Sequence, residues 1–501
     1  MRIEAGILLL AALAMATSCN DNEFAEGNPS APSVSNTFNT VDEAEKAIFG
    51  TYAALQANDS WGREFWWIPD MLSDETQTAG PQLESFRAAM LNYNITADNP
   101  LISAAWRGLY RVINRANFII TTLPQKEELP QEAVDLLVAE AKFLRGWCYF
   151  QLGSYWGDVP LTVAPVEDTE GIPMAGSEEA VFEVVIQDLR DAAAGLPDVS
   201  EYRGTSNLGR ATSGAAYGLL GRVHLFRGDY QAARDALEEV ISSGQYSLVD
   251  DYVDNHREEN ENNSESLFEI QFAEYASGNQ GWSQNGNGGK IEQMRTHEYS
   301  PHVWHNTLPS ESLKAEFEEG DPRYAASFLT YGDTYGEGDT AVFEPSDVAQ
   351  GITEIEEHWK KYGYEYKEAK PDMWSGINMR VLRYADVLLM MAEIENEQNG
   401  PTATALNYLN QVRARVGMPE YPTDEYPVST QEEMLAAIMH ERRVELNSEQ
   451  VRARDMRRWF REGKMGPPHP NYLPRHQYLP IPLDEIDNNN ALDEGNQKEG
   501  Y

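Results

Sequence analysis

Apolar residues recur at intervals of three and four positions over most of the chain, and this spacing restricts its fold more than any other feature. In LLVAEAKFLRGWCYFQLGSYWG, the residues Leu137, Ala141, Leu144, Cys148 and Leu152 follow it. Such a pattern places them on one face of an α-helix. Similar patterns occur in TVDEAEKAIFGTYAALQ, LISAAWRGLYRVINRANFIITTL and SEEAVFEVVIQDLRDAAAGL. The sequence therefore predicts a mainly α-helical fold with Cys148 as a buried, inert thiol.

Two stretches have the residue offsets of a tetratricopeptide helix pair. In ATSGAAYGLLGRVHLFRGDYQAARDALEEVISSGQYSL, Tyr217, Leu220 and Gly221 precede the turn RGDY, and Ala233 follows it. Small residues at these offsets let two helices approach closely. A looser copy, LLMMAEIENEQNGPTATALNYLNQVRARVGM, lies far along the chain. We therefore predict helix pairs that are separated by other material rather than a tandem array.

Residues 251–378, between these pairs, combine short apolar pieces, clusters of Gly and Asn, and scattered aromatic residues. This composition indicates irregular, loop-rich backbone. The stretch NQGWSQNGNGGKIEQMRTHEYSPHVWH places Trp282, Tyr299 and Trp304 on such backbone. Large rings on loops either fill a core or form a binding surface, and long loops in compact proteins are often functional. We predict that this segment binds a ligand.

The N-terminus has the features of a bacterial export signal. In MRIEAGILLLAALAMATSCN, Arg2 precedes an apolar stretch that is too short to span a bilayer but suits a signal peptide. The small residues before Cys19 resemble a lipobox, in which that cysteine would carry lipid. We predict a signal peptide at 1–18, a flexible tether at 19–36 and a single folded domain at 37–501.

The charge of the chain argues against nucleic acid as a partner. Its 81 acidic and 39 basic residues give a formal net charge of −42, which repels phosphate backbones. One basic run, ERRVELNSEQVRARDMRRWF, alternates Arg and Glu at helical spacing. This pattern favours ion pairs within a helical scaffold over an anion-binding site.

The sequence contains no recognisable catalytic or cofactor motif. A nucleophile elbow, a phosphate loop and a dinucleotide fingerprint are all missing. His297, His302 and His305 lie close together, but their spacing matches no metalloprotease helix, and Pro301 interrupts any helix there. We predict no metal and no cofactor. The paired carboxylates of a glycoside hydrolase stay open as an alternative, because some of the 81 acidic residues will always lie near a sugar site.

Seven phrases, read together, resemble the SusD/RagB family of surface glycan-binding lipoproteins from Bacteroidetes. They occur in the family's order and are AEAKFLRGWCYFQLGSYWGDVPLT, NSESLFEIQF, PSESLKAEFEEGDPRY, VLRYADVLLMMAE, LNQVRARVGMP, ERRVELNSEQVRARDMRRWF and YLPIPLDEID. The resemblance implies a SusD-like scaffold of tetratricopeptide-like helix pairs at 37–250 and 379–465, with an irregular ligand-binding segment at 251–378. It also implies a lipid anchor at the outer face of the outer membrane, a SusC-like TonB-dependent transporter as partner, and binding without catalysis.

A glycan site needs flat rings for the apolar face of a sugar and polar groups for its hydroxyls. The stretch NDSWGREFWWIPDMLSDET and the aromatic stretch at 279–305 supply both. We predict that their rings face solvent as a shelf for an oligosaccharide or polysaccharide. The predicted ligand-binding residues are Trp61, Trp66, Trp67, Asp70, Trp282, Tyr299 and Trp304. The alternatives are a glycoside hydrolase or lyase, and a RagB-like peptide-binding protein with a deep groove.

Overall fold

A computed structural model describes residues 37–78, 82–166, 170–274, 292–349, 354–367 and 375–501. The predicted signal peptide, the tether and Cys19 lie outside these residues. Helices dominate the described chain, which confirms the prediction of a mainly α fold. Among the described residues, no helix is both long enough and apolar enough to cross a membrane.

The α-helices, in chain order, are α1 (Val41–Leu55), α2 (Trp67–Met71), α3 (Ser85–Leu91), α4 (Pro100–Thr122), α5 (Gln131–Trp156), α6 (Glu178–Gly195), α7 (Val199–Tyr202), α8 (Ser213–Arg227), α9 (Tyr230–Ser242), α10 (Arg295–Tyr299), α11 (Glu311–Lys314), α12 (Pro322–Ser327), α13 (Tyr384–Asn399), α14 (Ala403–Arg415), α15 (Gln431–Leu446), α16 (Arg452–Arg461) and α17 (Leu483–Asn488). The strands are β1 (Thr76–Thr78), β2 (Ser266–Ile270), β3 (Thr307–Pro309), β4 (Phe328–Thr330), β5 (Thr334–Tyr335), β6 (Ala341–Val342), β7 (Glu357–Trp359) and β8 (Met379–Arg383).

Side-chain caps fix the starts of several long helices. A hydroxyl oxygen accepts a hydrogen bond from a backbone N–H in the first turn, which satisfies a group with no partner inside the helix. Thr40 does this for α1, Ser177 for α6, Thr212 for α8, Thr402 for α14 and Thr430 for α15. These helix starts are therefore determined locally by the sequence.

Both predicted helix pairs are present. Helices α8 and α9 pack on each other, and α8 ends at Gly228 in the left-handed conformation, with φ of 79°. A Cβ atom at Gly221 would overlap the side chain of Leu237, so the small residue permits the close approach. The second pair is α13 with α14, joined at Gly400 with φ of 83°. The two pairs contact each other through α9 and α13.

Helix α5 lies at the centre of the main core. From Phe143 to Trp156 every side chain is buried. Cys148 is fully buried, and this burial raises the pKa of its thiol well above the usual range. A thiol that stays protonated is a poor nucleophile, so the prediction of an inert cysteine is confirmed.

The described residues between α9 and α13 contain short helices and most of the strands. The strands form two-stranded antiparallel sheets, in which β1 pairs with β3, β2 with β8, β4 with β7 and β5 with β6. Strand β1 precedes α4 in the chain, so its sheet with β3 connects the N-terminal part to the irregular part.

Buried ion pairs attach this irregular part to α15 and its C-terminal end. Arg383 lies 2.6 Å from Glu445 and 2.8 Å from Glu449, while Arg323 lies 3.0 Å from Glu445. Burial alone would raise the pKa of Glu445, but Arg415, Arg383 and Arg323 outweigh it and hold that pKa well below the usual range. The basic run at the C-terminal end of the scaffold thus forms ion pairs, as its spacing predicted.

Candidate functional site

The two stretches that the sequence selected for a ligand site lie side by side. The N–H of Met294 donates to the carbonyl oxygen of Gly62 over 3.0 Å. Arg63 donates twice to Glu298 Oε1, from Nε at 3.1 Å and from Nη2 at 2.9 Å. Burial raises the pKa of Glu298, against the opposing effect of Arg63. Residues 57–78 and 292–310 therefore pack against each other.

Most of the selected side chains nevertheless point into the protein. Trp61, Trp66, Trp67, Asp70 and Tyr299 are each at most 4% exposed. A ring with no accessible face cannot stack on a sugar. The prediction that these side chains form a shelf facing solvent is therefore wrong.

The buried rings fill the junction between the irregular part and the helices. The Trp61 ring centroid lies 4.3 Å from that of Phe65 and 5.9 Å from that of Trp147, on α5. Trp66 stacks on Trp67 at 4.6 Å and meets Tyr299 edge-on at 5.6 Å. Each large apolar side chain gains about 1.5–3 kcal/mol or more by leaving water, which is the physical reason for their inward orientation.

Asp70 also belongs to this junction. It accepts a hydrogen bond from the hydroxyl of Tyr299, which in turn accepts one from Arg295 Nη2 over 2.9 Å. Burial raises the pKa of Asp70 to about 6, and the charge of Arg295 opposes that rise. Its hydrogen bonds hold α10 against α2, so its role in the free chain is structural.

Two of the predicted aromatic residues are not in this core. Trp304 is half-buried, packs edge-on against His297 at 4.3 Å, and has Arg63 Cζ 5.4 Å from its ring centroid. Trp282 lies outside the described residues. The described residues before and after it are anchored to residues 56 and 62. Gln56 Nε2 donates to the carbonyl oxygen of Gln271 over 2.7 Å, and the N–H of Met294 donates to the carbonyl oxygen of Gly62.

A cavity of about 460 Å³ opens beside Arg63. Its lining consists of charged and amide side chains with one aromatic ring and small apolar groups. The lining residues are Asn58, Asp59, Arg63, Glu64, Phe86, Pro100, Ala104, Arg107 and Arg111. Arg63 lines the cavity and also contacts Trp304, but the half-buried indole is not itself part of the lining.

The cavity's cations and carboxylates are held as pairs. Arg111 donates from both terminal nitrogens to the two carboxylate oxygens of Asp59, each over 2.5 Å, and this raises the pKa of the guanidinium. Glu64 lies 2.6 Å from Arg87. Arg107 is 57% exposed and only 3.6 Å from an exposed carboxylate. The lining thus presents fixed donors and acceptors at short spacing, which suits a ligand with adjacent hydroxyls.

Sequence reasoning missed Phe86, Arg107 and Arg111. Phe86 lies on α3, whereas the two arginines lie one turn apart on α4. Their spacing of four positions was a signal, because like charges one turn apart repel each other and destabilise a helix slightly. Nothing in the sequence, however, showed which other element would face them.

The three neighbouring histidines do not converge. His297 packs on Trp304, while His302 stacks on Tyr335 with ring centroids 5.0 Å apart. His305 Nε2 lies 2.7 Å from His358 Nδ1. Within the part of the chain that the structure describes, no group of three or more His, Cys, Asp or Glu side chains is placed to hold a metal ion.

Comparison with protein families identifies the chain. Residues 244–472 match the profile of the SusD family, and residues 35–225 match a SusD-like family described as starch-binding and associating with the outer membrane. Together the two matches include most of helix α8, the pair α13 and α14, and the cavity beside Arg63, while helix α9 lies between the two matched ranges. The chain belongs to the SusD-like family.

Individual relatives agree over nearly the whole length. SusD-like protein P25 from Formosa agariphila is 27% identical over 528 residues, which is 98% of each chain. A SusD homolog from Bacteroides thetaiotaomicron has a TM-score of 0.78 and 23% identity, and the match covers 95% of this chain and 100% of that one. A laminarin-binding SusD-like protein has a TM-score of 0.74 and 25% identity, with coverage of 92% and 99%. The SusD-like fold is therefore established for this chain.

Proposed function

We propose that the protein binds an oligosaccharide or polysaccharide at the cell surface and delivers it to a SusC-like TonB-dependent transporter. The observation that supports this most is the cavity of about 460 Å³ beside Arg63, where the Arg111–Asp59 pair lies with Phe86. Guanidinium donors and carboxylate acceptors match adjacent sugar hydroxyls. The Phe86 ring offers an apolar face for the C–H side of the sugar.

The names of relatives support the same ligand class. One structural relative is a laminarin-binding protein, and one matching family is described as starch-binding. From this chain's own residues, Trp282 stays a proposed contact, because an indole ring can stack on the C–H face of a sugar. We also propose that the Trp304 ring contacts the edge of the bound sugar.

Binding without turnover fits the cavity better than hydrolysis does. A glycoside hydrolase needs one carboxyl group that is protonated and can donate to the leaving oxygen. In this cavity Asp59 is held by Arg111, and Glu64 is held by Arg87. Both oxygens of Asp59 accept hydrogen bonds from Arg111, and an oxygen of Glu64 accepts one from Arg87, so neither carboxyl group is placed to donate to a leaving oxygen.

The anchor is part of the proposal. Cys19 would carry lipid after removal of residues 1–18, and residues 19–36 would form a tether with a span of roughly 20 Å. The family description of association with the outer membrane agrees with this placement. A short tether would keep the cavity close to a transporter in the same membrane, which would make transfer of the glycan local.

The test uses the mature chain from residue 19 with Cys19→Ser, which is free of lipid. Wild type, Asp59→Asn and Phe86→Ala are compared by calorimetry and affinity electrophoresis on laminarin, starch, other polysaccharides and a peptide mixture. Asp59→Asn should weaken glycan affinity about tenfold, since a hydrogen bond to a charged group contributes about 1.5–3 kcal/mol. Phe86→Ala should also weaken it, because the apolar face of the ring is lost. Val163→Ala, an exposed apolar residue outside the cavity lining, is the control.

Three outcomes would contradict the proposal. Full glycan affinity in both cavity variants would place the site elsewhere. Affinity for peptides with none for glycans would favour a peptide-binding function. Release of reducing sugar from a bound polysaccharide would show that the protein is a hydrolase or lyase.

A further inference from the structure

A second cavity lies between the C-terminal half of α1 and strand β2. It measures about 220 Å³. Its walls include Phe49 and Tyr52 from α1, Gln56 directly after α1, Leu208 and Arg210 from the loop before α8, and Gln271 after β2. None of these residues lines the cavity beside Arg63.

Two apolar side chains face this cavity while exposed to water. Phe49 is 46% exposed and Leu208 is 37% exposed. Singly exposed apolar residues need no explanation, but these two line the same cavity. Among the described residues, seven large apolar side chains are exposed, and Phe49 is the aromatic one.

The Phe49 ring rests on a rigid, charge-balanced support. Arg210 Cζ lies 5.2 Å from its ring centroid. The guanidinium donates from Nε to both oxygens of Glu140 over 3.1 Å, and from Nη1 to Asn207 over 3.1 Å. The hydroxyl of Tyr52 also donates to Glu140, over 2.8 Å. The ring is thus held in place from beneath, while almost half of its side chain stays open.

The polar groups at the edge of the cavity are neutral. Gln56 uses its amide nitrogen for the carbonyl of Gln271, so its amide oxygen can accept a hydrogen bond from a ligand. Ser206, which also lines the cavity, is exposed and carries a hydroxyl. Arg210 pairs with Glu140, and Glu269, which also lines the cavity, lies 3.6 Å from Arg380, so each charge at the cavity is paired and none favours an ionic ligand.

We propose that this cavity is an accessory subsite for one neutral sugar ring, with the C–H face of the sugar on Phe49 and its hydroxyls on Gln56 and Ser206. The inference deepens the proposed glycan-binding function and rests on it. At about 220 Å³ the cavity is smaller than the roughly 300 Å³ at the lower end for drug-sized ligands, so it suits a single ring rather than a chain.

An accessory subsite matters for polymers. A single ring on one phenylalanine binds weakly, but a polysaccharide that occupies both cavities gains avidity without any new contact at either. A short oligosaccharide that fills one cavity gains nothing. Loss of the Phe49 ring should therefore lower the affinity for a polymer and leave the affinity for a short fragment unchanged.

The experiment compares wild type, Phe49→Ala and the control Val163→Ala, in the Cys19→Ser mature chain, by calorimetry. The ligands are the polysaccharide that wild type binds in the panel above and a two- to four-unit fragment of it. Phe49→Ala should bind the polymer about tenfold more weakly and the fragment equally well. Wild-type crystals soaked in the corresponding monosaccharide should show a sugar ring on Phe49.

The results separate this inference from the proposed function. If wild type binds the polymer and Phe49→Ala binds it equally well, the accessory subsite is refuted while the main site stands. An equal loss for polymer and fragment would also refute it, because it would place Phe49 in the main site. A wild type that binds no glycan, or that binds a peptide through Phe49, overturns both proposals.

Discussion

Replacing Trp61 with alanine distinguishes a core residue from a ligand-binding residue. The side chain is 1% exposed, and its ring packs against Phe65 at 4.3 Å and Trp147 at 5.9 Å. Truncation would remove this apolar contact and leave a cavity between the irregular part and α5. For such large-to-small changes in a core, the expected loss of unfolding free energy is about 3–5 kcal/mol.

The assay is guanidinium-induced unfolding of the Cys19→Ser mature chain, followed by circular dichroism. The matched control is Trp304→Ala, since this indole is half-buried and should cost less stability. At temperatures where Trp61→Ala is still folded, its glycan affinity should equal that of wild type. A Trp61→Ala variant within about 1 kcal/mol of wild-type stability that loses glycan binding would refute the assignment of this ring to the core.

Two further predictions concern the scaffold. Gly221→Leu should lower the unfolding free energy by about 1–3 kcal/mol or more in denaturant titration, because even a Cβ atom overlaps the facing helix. The control Gly50→Leu, in α1, should cost less, because nothing lies within 4 Å of a Cβ atom there. Burial lowers the pKa of His440, but hydrogen bonds to Glu316 and Glu318 outweigh it and raise that pKa to about 9. The pKa of histidine in the unfolded chain is about 6.5, so the stabilisation from these hydrogen bonds is full below pH 6.5 and is lost as the pH rises through 9. The unfolding free energy, measured from pH 6 to 10, should show this loss. The pH dependence should disappear in His440→Gln.

The scaffold could be predicted because its signals are local. The spacing of apolar residues in α5 and the small residue at Gly221 depend on neighbours a few positions away in the chain. Each of these features has one structural meaning, so Cys148 could be assigned to the core before any coordinates were known. The basic run in α15 and α16 was likewise identified as a set of ion pairs from its spacing.

The candidate site could be predicted only in part. The sequence selected two stretches because both combine aromatic and polar residues, and the structure brings them together at Gly62 and Met294. It could not assign a direction to Trp61 or Trp66, since irregular backbone has no period that separates an inner face from an outer one. The Arg111–Asp59 pair was out of reach for another reason, because it joins residues 52 positions apart.

The anchoring of Gln271 and Met294 has a consequence for how such proteins diversify. Both are fastened to the same short stretch of chain, at Gln56 and Gly62. The entropy of closing a loop between fixed ends rises only slowly with its length. Among related chains, the segment between these two anchors can therefore differ in length or composition at small thermodynamic cost, while the architecture around it is retained.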